Sequence, residues 1–153
     1  MSQRFEDASK ETVDLVNVVR KEIFPELASA NIKVLYDIKK RMSGGKMVLG
    51  RMQKTNDLLR HLTIEDAKDE EGFDYILYLC KAVYDNVDEG DRVRLIRHEL
   101  QHCDVDLDSN TNPYKLRGHE ISDFYDEIEY NKNDPRWAER CVAVAESIYE
   151  EDN

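Results

Sequence analysis

The chain is poor in cysteine, in long apolar runs and in positive charge. Its three cysteines, Cys80, Cys103 and Cys141, are odd in number and form no C-x-x-C pair, so we expect free thiols in a reducing compartment and a cytoplasmic protein. No apolar stretch approaches the length of a membrane span, and the first residues lack the apolar core of a signal peptide. These absences argue against a membrane or secreted protein.

Basic residues are also scarce, with 22 lysines and arginines against 33 acids and a formal net charge of −11. A surface of this sign repels phosphate backbones, so direct nucleic-acid binding is not expected. The simplest interpretation of the acids is solubility, and an acidic decoy that mimics DNA is an alternative. With 41% hydrophobic residues and no internal repeat, the sequence indicates one domain over residues 1–153.

Helical and strand-like segments both occur, which predicts an α+β protein. Residues 55–62 are ambiguous between a short helix and a loop, and Ser43-Gly44-Gly45 is a turn signal. The aromatic and β-branched run at 73–80 is the strongest strand prediction. The other predicted elements are helices at 6–24, 119–130 and 135–150, the last as an extension of the domain, and strands at 32–38 and 46–53.

The most informative pattern is H-E-x-x-H, formed by His98, Glu99 and His102. Two histidines four residues apart lie on one face of a helix, so both imidazoles can bind one metal ion. The glutamate can then take a proton from a water that the metal activates. This arrangement predicts a Zn²⁺-dependent peptidase with Glu99 as general base and a protein or peptide as substrate.

The residues around the motif favour a helix that begins near Asp91, with acids at its start. Val93, Ile96, Leu100 and Cys103 recur at spacings of three and four and form one apolar stripe. The two histidines fall on nearly the opposite side of this helix. The helix is therefore expected to bury one face while its histidines point into a cleft.

A catalytic zinc site usually takes three protein ligands, so a third ligand is needed. Alternating residues at 104–108 and 114–117 predict a β-hairpin that returns the chain to the motif near His119, which favours this histidine. Asp108 is a weaker candidate, because Val105 replaces the glycine that the extended zincin motif requires before an acidic ligand. The remaining carboxylate alternatives are Glu120, Asp123 and Glu127.

A proton donor for the oxyanion is not identified by the sequence. The candidates are Tyr114, Tyr125, Arg117 and His61.

Several segments resemble a known family: Met47-Val48-Leu49-Gly50-Arg51, Tyr75-Ile76-Leu77, Lys81-Ala82-Val83-Tyr84, Leu95 to His102, and Arg117-Gly118-His119-Glu120-Ile121-Ser122-Asp123-Phe124. The family is that of the phage metallopeptidases, minimal zincins of phages and prophages that are distantly similar to SprT-like proteases. The resemblance covers roughly residues 30–128 and leaves out the predicted helix at 135–150.

This resemblance implies a zincin-like fold, in which a small, mostly antiparallel sheet packs on the motif helix, with flanking helices and a hairpin after the motif. It also implies Zn²⁺ held by His98, His102 and His119. By analogy with zincins, the strand at 73–80 would form the cleft edge, where an extended peptide adds as another strand.

Two other interpretations remain open at this stage. In the first, zinc only stabilises a non-catalytic interaction protein, although a structural site has no need of Glu99. In the second, the chain is the acidic DNA mimic, which leaves the H-E-x-x-H pattern unexplained. The sequence does not identify the substrate or the oligomeric state.

Overall fold

The computed structural model describes residues 3–118 and 130–151. Its main feature is a four-stranded sheet in the order β1-β2-β6-β5. The strands are β1 (Phe5–Asp7), β2 (Ile32–Asp37), β5 (Gly50–Lys54) and β6 (Tyr75–Cys80). The outer pairs are antiparallel, but the central β2–β6 pair is parallel. The sheet is therefore mixed, because the chain makes a long crossover between β2 and β6 that returns it in the same direction.

The crossover contains a small hairpin and two short helices. Strands β3 (Met42–Ser43) and β4 (Lys46–Met47) pair around Gly44 and Gly45, whose positive φ angles of 57° and 77° confirm the predicted turn. The strand predicted at 46–53 is split into β4 and β5. The ambiguous segment at 55–62 is helical, in α2 (Asp57–Leu62), and α3 (Ile64–Ala67) follows it.

Helix α1 (Lys10–Ile23) is shorter than the helix predicted at 6–24. The prediction was wrong at its start, because Phe5–Asp7 pair with β2 as a strand. Ser9 then caps the helix, and its side chain accepts a hydrogen bond of 3.2 Å from the Thr12 amide. A 3₁₀ turn at Pro25–Leu27 ends this segment.

The core lies between the sheet and the two helices α1 and α5 (Glu89–Leu100). Its fully buried members come from these elements and from the 3₁₀ turn: Val16, Leu27, Tyr75, Leu77, Leu79, Ile96 and Leu100. A second apolar cluster joins α4 (Lys81–Tyr84) and α5 to the C-terminal helix, Trp137–Glu151. This cluster fixes the C-terminal helix beside the motif helix. It consists of Cys80, Val83, Leu95, Trp137, Cys141 and Ala145.

The hairpin predicted after the motif is confirmed as β7 (Cys103–Val105) and β8 (Tyr114–Leu116), with strands shorter than predicted. The Tyr75 hydroxyl donates to the Lys115 carbonyl at 2.8 Å and ties this hairpin to the sheet. The helix predicted at 119–130 lies almost wholly outside the described residues. Among the helices that the structure describes, none is both long and apolar enough to cross a membrane.

Candidate metal centre

Helix α5 positions the motif and begins two residues before the predicted start. Asp88 is its N-cap, and its carboxylate accepts a hydrogen bond of 2.9 Å from the Asp91 amide. The predicted apolar stripe is confirmed, since Ile96 and Leu100 are fully buried and Cys103 is 8% exposed. The opposite face is therefore the one available to a cleft.

His98, Glu99 and His102 come together at the end of this helix, as the spacing predicts. Each offers one ligand atom, and these atoms lie within 4.8 Å of one another. The two imidazole rings have centroids 5.7 Å apart and planes inclined by 77°. His102 lies just beyond the last α-helical residue, in a turn where its amide donates to the Glu99 carbonyl at 3.1 Å.

The orientation of His102 is set by the strand that returns from the hairpin. Its Nδ1 lies 2.7 Å from the carbonyl oxygen of Arg117. A carbonyl only accepts, so Nδ1 carries the proton and Nε2 keeps its lone pair for a metal. The Arg117 amide in turn donates to the His102 carbonyl at 2.7 Å.

The side chain of Arg117 strengthens the same junction. Its Nε donates to the Gln101 carbonyl and its Nη2 to Gln101 Oε1, both at 2.6 Å, and Gln101 is only 4% exposed. Arg117 was a candidate proton donor from the sequence, but these contacts give it a positioning role. We call the two Arg117–Gln101 hydrogen bonds the Arg117 clamp. The sequence carried no signal for this clamp, because it depends on how the hairpin folds back.

The carboxyl group of Glu99 is buried, with the residue 6% exposed. Burial raises the pKa of Glu99 to about 7, and the nearby charges of His98 and Arg51 lower it by a smaller amount. A carboxyl group with this pKa can both accept and return a proton near neutral pH. A divalent cation held by the histidines would lower the pKa further.

Strand β5 lies directly against Glu99. A Cβ atom added at Gly50 would lie 3.3 Å from Glu99 Cγ and 3.3 Å from the Tyr78 carbonyl oxygen, which is tighter than an ordinary contact. Glycine therefore allows the strand to approach the carboxylate this closely.

A cleft of about 500 Å³ opens beside the three motif side chains. One wall is the chain from Lys46 to Met52, and another is the C-terminal helix, through Trp137, Ala138 and Val142. The His98 ring lies 6.4 Å from the Trp137 ring, with an angle of 61° between their planes. The C-terminal helix thus reaches the candidate metal site.

This geometry agrees with a comparison of the sequence with protein families. The family model described as "Putative phage metallopeptidase" matches residues 3–146. The chain belongs to this family. No curated protein and no solved structure gives a significant match.

The match to the phage metallopeptidase family is longer than the resemblance over residues 30–128 suggested. It includes the C-terminal helix as far as residue 146. The prediction that this helix departs from the family was therefore wrong. In the fold the helix forms part of the cleft wall.

The predicted edge strand also needs correction. The strand at 73–80 was expected to form the cleft edge, but β6 lies between β2 and β5. Five of its six residues are buried, which is typical of a central strand. Strand β5 is the sheet edge beside the motif. Exposed Arg51 and Gln53 flank buried Met52, so the alternation of polar and apolar residues in the sequence corresponds to the two faces of this strand.

The other candidate residues are distributed around the molecule. Asp108 is exposed in the hairpin loop, and His61 is exposed on α2. The Tyr114 hydroxyl is near Ser29, at 3.0 Å from its Oγ and 3.1 Å from its carbonyl oxygen. The remaining candidates for the third ligand lie outside the described residues, so this ligand stays a prediction: His119, Glu120, Asp123 and Glu127. Tyr125, a candidate proton donor, also lies outside them.

The donor set fits a transition metal. His98 and His102 supply two imidazoles on one face, and imidazole nitrogen suits zinc, copper, iron and nickel. The hydrogen bond from His102 Nδ1 to a backbone carbonyl is typical of histidines that bind a metal through Nε2. The three described cysteines are free and buried, and none of them belongs to this cluster.

Proposed function

We propose that this chain is a zinc-dependent peptidase. The observation that carries the proposal is the group formed by His98, Glu99 and His102, which converge at one end of a cleft with a sheet edge beside it. Membership of the phage metallopeptidase family supports the same reaction class.

His98 and His102 would hold the ion, with His119 as the proposed third ligand. A bound zinc ion supplies polarisation of a peptide carbonyl and lowers the pKa of a water molecule toward about 7. The Arg117 carbonyl keeps His102 in the tautomer that binds a metal through Nε2. The Gln101–Arg117 contacts hold the end of the helix and the returning strand in register.

Glu99 would act as the general base. It takes a proton from the attacking water and passes it to the leaving amine, and such proton transfer is typically worth a factor of 10² to 10⁴ in rate. The ligand atoms of Glu99, His98 and His102 lie within 4.8 Å of one another, which supports this role.

Strand β5 would bind the substrate backbone. Among the described strands, β5 has only β6 as a neighbour in the sheet, so its other edge can pair with an extended peptide. Gly50 lies close to the Glu99 side chain, which supports binding of the peptide next to the proposed base.

The first experiment measures the zinc content of purified wild type, His98→Ala and His119→Ala by mass spectrometry. We expect about one zinc per chain in wild type and loss of zinc in both variants. Zinc kept in His119→Ala would move the third ligand to a carboxylate such as Glu120 or Asp108. No zinc in wild type, even after zinc is added, would overturn the proposal.

The second experiment measures hydrolysis of an unfolded protein substrate by zinc-loaded wild type, Glu99→Gln and Glu89→Gln. Glu89 is exposed at the start of the same helix and serves as the matched control. We expect Glu99→Gln to keep its zinc and to lose roughly 10² to 10⁴ in rate, while Glu89→Gln stays active. Equal activity of the two variants would instead indicate a zinc site without this general base.

A further inference from the structure

The cleft beside the motif has an apolar side that the proposed chemistry does not use. Leu95 and Trp137 are 4% and 5% exposed, and Leu49 packs against the same apolar cluster. Val142 completes this side from the C-terminal helix. Among the described lining residues, these four offer no polar partner to a charged group on that side.

The charged lining residues are at the rim. Lys46 and Arg51 are both exposed, so their charged groups are solvated. Solvated charges bind an acidic side chain weakly. The apolar side is therefore the larger source of binding energy for a side chain that enters the cleft.

The volume of about 500 Å³ lies within the range typical of ligand pockets. A second groove of about 560 Å³ lies beside it, between the β3–β4 hairpin and the C-terminal helix, and both are lined by Lys46, Met47, Ala138 and Val142. The combined space suits one large side chain together with the neighbouring residues of a peptide.

The helical wall is held firmly in place. Cys141 and Ala145 are fully buried against α4 and α5. Arg140 donates to both carboxylate oxygens of Asp91, at 2.6 and 2.9 Å, and Asp91 is itself 2% exposed. A wall fixed in this way needs little reorganisation on binding, which favours selectivity.

We propose that this cleft selects peptides with a large apolar side chain, such as Phe or Leu, next to the bond that is cleaved. The inference rests on the proposed peptidase function and adds the substrate class. Burial of such a side chain corresponds to an affinity about 10- to 100-fold higher than that of a peptide with Asp at the same place, which would lose hydration.

Trp137 is the only tryptophan of the chain and lines the cleft, so its fluorescence reports occupancy. The probes are short blocked glycine peptides with one central Phe, Leu, Ala or Asp. Zinc-loaded Glu99→Gln protein is titrated with each peptide, which measures binding without turnover. Hydrolysis of the same peptides by wild type is followed by mass spectrometry.

Ala138→Phe tests the pocket by filling it. Ala138 is exposed on the cleft side of the helix, so the larger side chain should be tolerated. We expect the Phe peptide to lose about tenfold in affinity and the Ala peptide to change little. Ser147→Phe adds a large side chain at an exposed position of the same helix that does not line the cleft, and it should leave both affinities unchanged.

Val142→Asp gives a second, independent readout. An added carboxylate in the pocket should weaken binding of the Phe peptide and strengthen binding of an otherwise identical Lys peptide. A folding defect cannot produce this reversal. Equal binding of the Phe and Asp peptides, or a preference for Asp through Lys46 and Arg51, would overturn the inference. A preference for Phe in binding, with no hydrolysis by wild type, would overturn the proposed catalysis and keep the pocket.

Discussion

The two sides of the cleft are built in different ways. The motif side is polar, and its two histidines lie four residues apart at the end of one helix. The helical side is apolar and depends on packing between residues far apart, such as Leu95 with Trp137. The comparison indicates that the candidate metal-binding pair comes from a local pattern, whereas the apolar wall of the cleft comes from long-range packing.

The largest effect is expected where the motif helix joins the main core. Leu100→Ala removes a fully buried side chain between His98 and His102 and should lower the free energy of unfolding by about 2–5 kcal/mol. Thermal unfolding checks this prediction. Leu107→Ala, at a position that is 72% exposed, is the matched control and should change stability by less than about 0.5 kcal/mol. Similar values for the two variants would show that the motif side does not depend on the core.

Gly50→Val should lower the peptidase rate and should affect the stability of the fold less than Leu100→Ala does. The added side chain meets Glu99 and the Tyr78 carbonyl, so either the carboxylate or strand β5 must move. Displacement of a catalytic group by about 1 Å costs roughly 10² in rate. Peptidase rate and zinc content are measured together, and we expect zinc to be retained. Gly90→Ala, which meets only the Arg94 end and the Asp88 carboxylate, is the control, and a loss of rate there as large as at Gly50 would contradict the explanation.

Arg117→Lys should weaken the clamp behind His102. Lysine cannot reproduce the two hydrogen bonds that the guanidinium makes with Gln101. Loss of groups that orient a metal ligand typically costs 10- to 100-fold in metal affinity, and we expect about tenfold because the backbone bond to His102 remains. Competition with a chelator measures the affinity. Lys115→Ala, on the same strand with one exposed ion pair to Asp106, should leave it unchanged.

Arg140→Ala should loosen the helical wall of the cleft and is the smallest of the expected effects. Asp91 loses two hydrogen bonds but keeps a contact with Arg94 at 3.0 Å, so we expect the free energy of unfolding to fall by about 1–2 kcal/mol. The selectivity between Phe and Asp peptides should fall while zinc binding persists. Arg136→Ala breaks only an exposed pair with Glu139 and is the control. Loss of zinc in Arg140→Ala would show that the two sides are not separate.

The sequence predicted the motif helix well because its signals are local. The Asp88 cap, the stripe at Ile96 and Leu100, and the spacing of the histidines all lie within four turns of one helix. The hairpin after the motif followed from alternation and turn residues that are equally local. The sequence-based start of α1 failed because residues 5–7 form a strand only by pairing with β2.

The neighbours of each strand were harder to predict. The strand at 73–80 was correctly identified as a strand, but its central place depends on both β2 and β5, which come from distant parts of the chain. The contact of Gly50 with Glu99 and the clamp of Arg117 on Gln101 also join residues that no local pattern connects.

The sequence by itself therefore determined the candidate metal-binding pair, since four-residue spacing on a helix brings His98 and His102 together wherever that helix lies. Only the tertiary structure decided what surrounds this group: the β5 edge at Glu99, the tautomer of His102 and the apolar wall at Trp137. The physical reason is that helical geometry is fixed by neighbouring residues. The walls of a cleft are fixed by packing between elements that the sequence keeps far apart.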